Sequence, residues 1–313
     1  MKMVSTLLLI TLAVTTCVQA ELKGTIAFTL IGGDKPGLYV MDAVVGAPGK
    51  LLDPAPDIGT PSWSLNGEWI TFAKGGGSGG PSDIFVIRPD GSDLSQVTCG
   101  DGYYVEPSFS PDASQITFCA PDGAAMYIIN RNTVCPTAPT LLPVAGSFPH
   151  WSPLGDKILY SNWGRTYDSD LFLYDLVTTD STPITNTAQG FVLAEWSTDA
   201  KTLTGFISWD NKPDDIFVMD PDGSHLDFVS APWSSSDEGY PTWSSDAQYI
   251  VFNSNKEAGN WDIWYWDKWG PPINLTQGRY ADYTEVLPAI GIPEPATLLL
   301  LGLGGLVLRR RGR

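Results

Sequence analysis

Pro61-Ser62-Trp63-Ser64-Leu65-Asn66-Gly67-Glu68-Trp69-Ile70-Thr71-Phe72 is the stretch that decides the fold. An aromatic residue is followed by a hydroxyl, then by an Asn-Gly turn, then by an aromatic and β-branched run. That order describes two strands joined by a tight hairpin. It recurs as Pro107-Ser108-Phe109-Ser110-Pro111-Asp112 with Ile116-Thr117-Phe118, and as Pro149-His150-Trp151-Ser152-Pro153 with Ile158-Leu159-Tyr160. Two further copies are Ala194-Glu195-Trp196-Ser197-Thr198-Asp199 with Leu203–Phe206, and Pro241-Thr242-Trp243-Ser244-Ser245-Asp246 with Ile250-Val251-Phe252. The aromatic anchors at 63, 109, 151, 196 and 243 lie 46, 42, 45 and 47 residues apart. A steady period of this size with strand-like units marks a repeat architecture.

Each unit continues into a second apolar run, such as Asp83-Ile84-Phe85-Val86-Ile87 or Asp262-Ile263-Trp264-Tyr265-Trp266. A less regular outer strand follows, for example Leu94–Thr98 or Pro272–Thr276. Four antiparallel strands per unit make one propeller blade. The first unit supplies only Ile26-Ala27-Phe28 and Leu38–Asp42 as its second and third strands. Tyr283–Leu287, strand-like and near Pro288, can provide the missing inner strand and close the ring. The expectation is an all-β, six-bladed β-propeller spanning residues 21–290, closed by pairing its N- and C-terminal strands, which removes exposed sheet edges.

From Gly24 to about Leu287 these copies resemble the WD40-like propeller repeat of the TolB family, whose pattern is Pro-x-Trp-Ser-Pro-Asp-Gly with Ile-x-Phe and then Asp-Ile-Tyr-Val-Met-Asp after it. The resemblance implies the fold and leaves function open. TolB proteins carry an α/β domain before the propeller, whereas strand-like sequence here starts soon after Glu21, so the Tol–Pal role is not carried over.

The two ends read as addresses. Residues 1–20 have one basic residue, Lys2, an apolar run from Leu7 to Val14, and Val18-Gln19-Ala20 before Glu21, the layout of a secretory signal peptide. In residues 291–313, Pro293-Glu294-Pro295 precedes the apolar run Ala296–Leu308 and then Arg309, Arg310, Arg311 and Arg313. Thirteen apolar residues give roughly 20 Å of helix, against a bilayer core of about 30 Å. This segment resembles the PEP-CTERM sorting signal of Gram-negative bacteria. The resemblance implies an exosortase-type processing enzyme as partner, transient insertion of the tail in the inner membrane, and a final place at the cell surface, outer membrane or extracellular matrix.

Charge excludes one class of partner. The formal net charge is −17, and setting aside the five basic residues of the two ends and Glu294 leaves 13 basic against 34 acidic ones. Such a body repels phosphate backbones, so nucleic acid is not a partner.

The search for chemistry returns little. Gly76-Gly77-Ser78-Gly79-Gly80 fits Gly-x-Ser-x-Gly by letter, but the nucleophile elbow needs a strand before it and a helix after it. His150 and His225 are the two histidines, in different motifs, and no spacing suggests a metal site. Asp220-Pro221-Asp222-Gly223-Ser224 shares part of a calcium loop but has Ala231 where the twelfth-position glutamate belongs, and reads as a tight turn. No cofactor is expected, and calcium is the one ion such turns bring to mind. Cys119–Cys135 is the favoured disulfide, with Cys99–Cys119 as the alternative. Trp63, Trp151, Trp196 and Trp243 recur in register and belong between blades, while Trp163, Trp209, Trp233, Trp261 and Trp269 lie off the repeat, nearer loops.

Alternation along the inner strand gives the candidate site. If the aromatic packs between blades, the residue before it faces the central channel. Those residues are Ser62, Ser108, His150, Glu195 and Thr242, with Glu106 and Tyr240 at the mouth. A carboxylate beside His150 is expected to favour the charged imidazole and an anionic ligand. The expected function is a monomeric, secreted or cell-surface, non-enzymatic binding propeller engaging an extracellular protein or polysaccharide. The rival is a metal-assisted polysaccharide lyase or lactonase-like hydrolase, for which His150 and Glu195 form the one available pair of base and charge neutraliser. A third reading is a structural surface-layer component.

Overall fold

The computed structural model describes Leu22 and residues 24–290, apart from 76–79, 101, 121–122, 134–136, 163–168, 188–189, 210–211, 230–235, 258–259 and 282–284. The signal-peptide and sorting segments, Cys135, Trp163, Trp233, Tyr283 and the centre of the Gly-x-Ser-x-Gly stretch lie outside the described residues. The described chain forms six four-stranded antiparallel sheets. Their inner strands touch in sequence and the last touches the first, so the sheets form a closed six-bladed propeller.

Blade 2 shows the plan: inner strand Ser62–Trp63, then Ile70–Gly75, Ser82–Ile87 and outer strand Ser95–Gln96. Blades 3 to 6 begin with inner strands Val105–Phe109, Ser147–Trp151, Gly190–Trp196 and Glu238–Trp243. Blade 1 is assembled from both ends, with Glu285–Ile290 inside Thr25–Ile31, Gly37–Asp42 and Lys50–Asp53. The closing strand runs later than Tyr283–Leu287. Its register pairs Ile26 with Ile290 and Ile31 with Glu285. Pro288-Ala289-Ile290 therefore takes the place of Pro-x-Trp, an aliphatic version of the repeat.

The repeat motif has a local physical cause. The Ser64 hydroxyl donates to Asn66 at 2.7 Å and accepts from the Trp69 amide at 3.0 Å, and Ser110, Ser197 and Ser244 make the same pair of bonds. Serine followed two residues later by Asp or Asn thus organises the hairpin between inner and second strands. The aromatic beside it goes to the neighbouring blade. Trp243 packs with Ile216 of blade 5, Trp196 with Leu159 and Leu171 of blade 4, Phe109 with Ile84 and Val86 of blade 2. Ile290 does the same with Val251 and Ile263 of blade 6, so the closing interface is packed like the others.

A second device fixes the outer strands. Asp83, Asp170 and Asp262, each opening a third strand, accept from the hydroxyls of Thr98, Thr185 and Thr276 at 2.8, 2.7 and 2.5 Å. Each threonine oxygen accepts in turn from the amide after its aspartate. The Thr closing the Leu/Ile/Val-Thr pair after the outer strand is thereby latched to the blade.

The cysteine expectation is corrected. Cys119 is a free, fully buried thiol, so neither Cys119–Cys135 nor Cys99–Cys119 forms. Cys99 is the disulfide-bonded cysteine. Strand pairing aims the Cys119 side chain into the interface between blades 3 and 4, where its Sγ donates to Glu106 Oε2 at 3.0 Å.

Candidate functional site

Four inner strands carry the same irregularity. Their pairing shifts between Val105 and Ser108, Ser147 and His150, Val192 and Glu195, and Gly239 and Thr242. At each bulge one residue, Glu106, Phe148, Leu193 or Tyr240, takes a positive φ of 47–58°. Three of the four precede proline, where the right-handed helical region is disfavoured. A bulge re-aims the side chains that follow it.

The result is a cavity of about 150 Å³ at the hub of the ring. Ser62, Ser108, His150, Glu195 and Thr242 all line it, one from each of blades 2 to 6, as alternation required. Glu106 and Tyr240 line it too. The sixth position, Ala289, was not foreseen because its strand lacks the aromatic signature; the signal was Pro288, 45 residues after Trp243. Around the polar ring stand Trp151, Trp196, Trp243 and four inner-strand prolines.

Inner strands leave one edge of amides unpaired, and channel residues of the preceding blade satisfy several of them. Glu106 Oε2 accepts from Phe148 N at 2.7 Å, Ser108 Oγ from Trp151 N at 3.5 Å, and Glu195 Oε1 from Trp243 N. Glu106 and Ser108 are thus engaged in holding blades together. Glu195 Oε2 lies 3.5 Å from His150 Nε2, and the Thr242 hydroxyl also reaches the Glu195 carboxyl. His150 Nδ1 is buried and has no hydrogen-bond partner among the described residues.

The pair is not an ion pair at neutral pH, which corrects the expectation of a charged imidazole. Enclosure by the ring pushes His150 down to about 4, and pushes Glu195 up to about 8 against the opposing bond from Trp243. Burial disfavours the charged form of both groups and outweighs their mutual attraction. Burial likewise raises Glu106 to about 6. The hub therefore presents a carboxylic acid facing a neutral imidazole, and an anionic ligand gains no cation there.

This has a consequence for stability. Glu195 releases its proton near 4.5 when unfolded and near 8 when folded, so the folded state holds the extra proton between these values and stability falls as pH rises through them. His150, lowered from 6.5 to about 4, acts in the opposite sense over that lower interval. From about pH 6.5 to 8 the Glu195 contribution stands without that offset. Thermal melts across pH 6–9 should show Glu195→Gln losing less stability than the parent over this window; parallel pH profiles of the two proteins would contradict it.

The remaining candidates separate from the site. Asp222 accepts from the amide and hydroxyl of Ser224 at 2.9 and 2.6 Å, and Asp90 does the same with Ser92. Gly223 sits at φ +85° with Ile184 O 2.0 Å from where a Cβ would lie, so the turn needs glycine and its carboxylate serves the turn. No three His, Cys, Asp or Glu side chains converge to hold a metal among the described residues. Trp209 donates to Asp215 at 3.0 Å and packs on Phe228, Trp261 is partly buried, and Trp269 is 92% exposed on a turn.

Residues 291–313 match the PEP-CTERM protein-sorting motif. Over 99 residues the chain is 33% identical to a Protein TolB homolog of Chlorobium luteolum, covering 30% of this chain and 20% of that protein. The match thus spans about a fifth of that relative's length. Among solved structures, TolB from Acinetobacter baumannii has a TM-score of 0.68 at 16% identity, covering 88% of this chain and 69% of the other. Oligogalacturonate lyase from Vibrio parahaemolyticus has a TM-score of 0.50 at 12% identity, covering 81% and 74%. At such identities these structures speak for a TolB-like propeller fold. The sorting motif implies export and processing by an exosortase-type enzyme.

Proposed function

We propose that this chain is an exported, non-enzymatic binding propeller that engages an extracellular protein or polysaccharide at the hub of its ring. In this reading residues 291–313 insert transiently in the inner membrane, are processed near Pro293-Glu294-Pro295, and leave the body at the cell surface or in the extracellular matrix. The observation that carries the binding site is the cavity of about 150 Å³ to which five blades each deliver at least one polar side chain. A concave, largely apolar pocket with a few convergent polar groups suits a ligand group without charge, such as a sugar hydroxyl cluster or a peptide amide. Catalysis is disfavoured because Glu195, protonated to about 8, serves poorly as a base at neutral pH, and among the described residues lining the cavity there is no Lys or Arg to neutralise a substrate carboxylate.

The test uses extracellular polysaccharide purified from the producing cells, and the extracellular protein fraction separately, as probes for the purified body. Binding is expected with or without added calcium. His150→Ala and Glu195→Gln should each lower affinity for the bound fraction about tenfold, the effect of losing one buried hydrogen-bonding partner at about 1–3 kcal/mol. Glu195→Gln keeps an acceptor for the Trp243 amide, so the fold survives that change. Unchanged affinity in both variants would move the binding surface to the loops, and cleavage of the polysaccharide by the parent protein would establish the lyase instead.

A further inference from the structure

The inner strand of blade 1 ends at Ile290, in the wall of the hub cavity, and the sorting motif begins at the next residue. Five residues, 291–295, separate that strand from the apolar run starting at Ala296, a reach of at most about 20 Å fully extended. The tail therefore leaves the propeller at the channel mouth on one face. The register of Ile26 with Ile290 puts the start of the first strand at the same face. Ala43 N donates to Gly24 O, which adds the turn between third and outer strands of blade 1. In blade 4 Leu176 N donates to Asp156 O, and in blade 6 Lys268 Nζ donates to Ala247 O, so those turns join the inner hairpins on this face as well.

Among the described residues, this face is also where exposed apolar side chains concentrate. Trp269, Val177 and Leu154, the three most exposed large hydrophobic residues among those described, are 92, 84 and 75% accessible and sit at its turn tips, as does Val44 at 60%. Two of these tips are closed by aspartate side chains. Asp267 Oδ1 accepts from the amides of Trp269 and Gly270, and Asp175 Oδ1 from those of Val177 and Thr178. Tyr103 is the one exposed large hydrophobic residue among those described that sits in a connection on the opposite face.

We infer that this hairpin face is a membrane-docking surface: while the tail is inserted, Trp269, Val177, Leu154 and Val44 seat in the interface of the bilayer that holds it. The inference rests on the proposed insertion of residues 291–313. The short tether keeps the face within reach of the lipid, and an aromatic tip flanked by aliphatic ones is suited to the headgroup boundary. Acidic turns on the same face, including those of Asp90, Asp222 and Asp246, make a zwitterionic surface the suitable one. The opposite face, with the connections between second and third strands, then points away from the membrane.

The test uses residues 21–313, the chain without its signal-peptide segment, incorporated in phosphatidylcholine vesicles. Val177→Cys, Trp269→Cys and, on the opposite face, Asp34→Cys are each labelled with an environment-sensitive fluorophore; Cys119 is buried, Cys99 is disulfide-bonded, and the parent protein labelled in the same way gives the background from its own cysteines. Flotation with the vesicles reports tail insertion independently of orientation. The expected result is co-flotation, a blue-shifted emission and several-fold weaker iodide quenching at positions 177 and 269, with neither change at 34. Co-flotation with equal quenching at all three sites, or shielding at 34, overturns the docking surface while leaving insertion standing. Failure to float defeats insertion and this inference together, and leaves the hub site untouched.

Discussion

Ending the chain after Gly278 is expected to destroy the ring, whereas ending it after Ile290 should leave the melting temperature unchanged. The shorter protein lacks the strand Glu285–Ile290, whose Val286, Leu287, Ala289 and Ile290 are all at most 5% exposed. Losing three large aliphatic side chains from the core removes about 1.5–3 kcal/mol each. It also removes the ladder to Thr25–Ile31, the bond from Asn253 Nδ2 to Val286 O, and that from Trp63 Nε1 to Ala289 O. The sum rivals the total stability of a typical domain, about 5–15 kcal/mol. Ile26, Phe28 and Leu30 would then face water from an unpaired edge, the arrangement that promotes aggregation. Size-exclusion chromatography and thermal melts of the two proteins decide the matter; equal monomer yield and equal melting temperature would show that the ends do not close the ring.

The second large effect lies in the latch of blade 6. Asp262 is 1% exposed; Oδ1 accepts from Thr276 Oγ1 at 2.5 Å and from Gly278 N at 2.8 Å, and Oδ2 accepts from Asn274 Nδ2 at 3.1 Å. Asp262→Ala leaves those three donors without that acceptor inside the protein. Leaving a buried donor unsatisfied costs about 1–3 kcal/mol, so the three together are expected to cost at least about 3 kcal/mol, or roughly 10 °C in melting temperature for a domain of this size. Asp83 makes the equivalent bond to Thr98 in blade 2 but is half-buried, so water can replace part of what Asp83→Ala removes. The drop for Asp262→Ala should be at least twice that for Asp83→Ala. Comparable drops would mean that burial does not set the strength of the latch.

Most of the fold was legible because its determinants are local and recur. In four hairpins the serine and the Asp or Asn bond to one another across two residues, and the aromatic just before the serine needs only a neighbouring blade to pack against. The closing strand was placed a few residues early because Ile290 stands where the other blades have an aromatic. The channel ring followed from alternation, since a side chain's face of a strand is fixed by its distance from the buried aromatic. The latch threonines were overlooked: Asp and Thr lie 14 or 15 residues apart, and their bond appears only once the blade has formed.

By itself, then, the sequence determined the period, the blade count, the identity of five channel residues and the sorting segment, all of which depend on short-range spacing. Tertiary structure alone decided the rest. Whether Cys119 pairs depended on which interface its strand faces, and that interface is built from blades 3 and 4 together. Whether His150 carries charge depended on how much water the closed ring leaves around it. Adjacency of an acid and an imidazole predicts attraction, but desolvation scales with enclosure. That enclosure comes from six inner strands spread between Ser62 and Ile290, so no local stretch of sequence contains it.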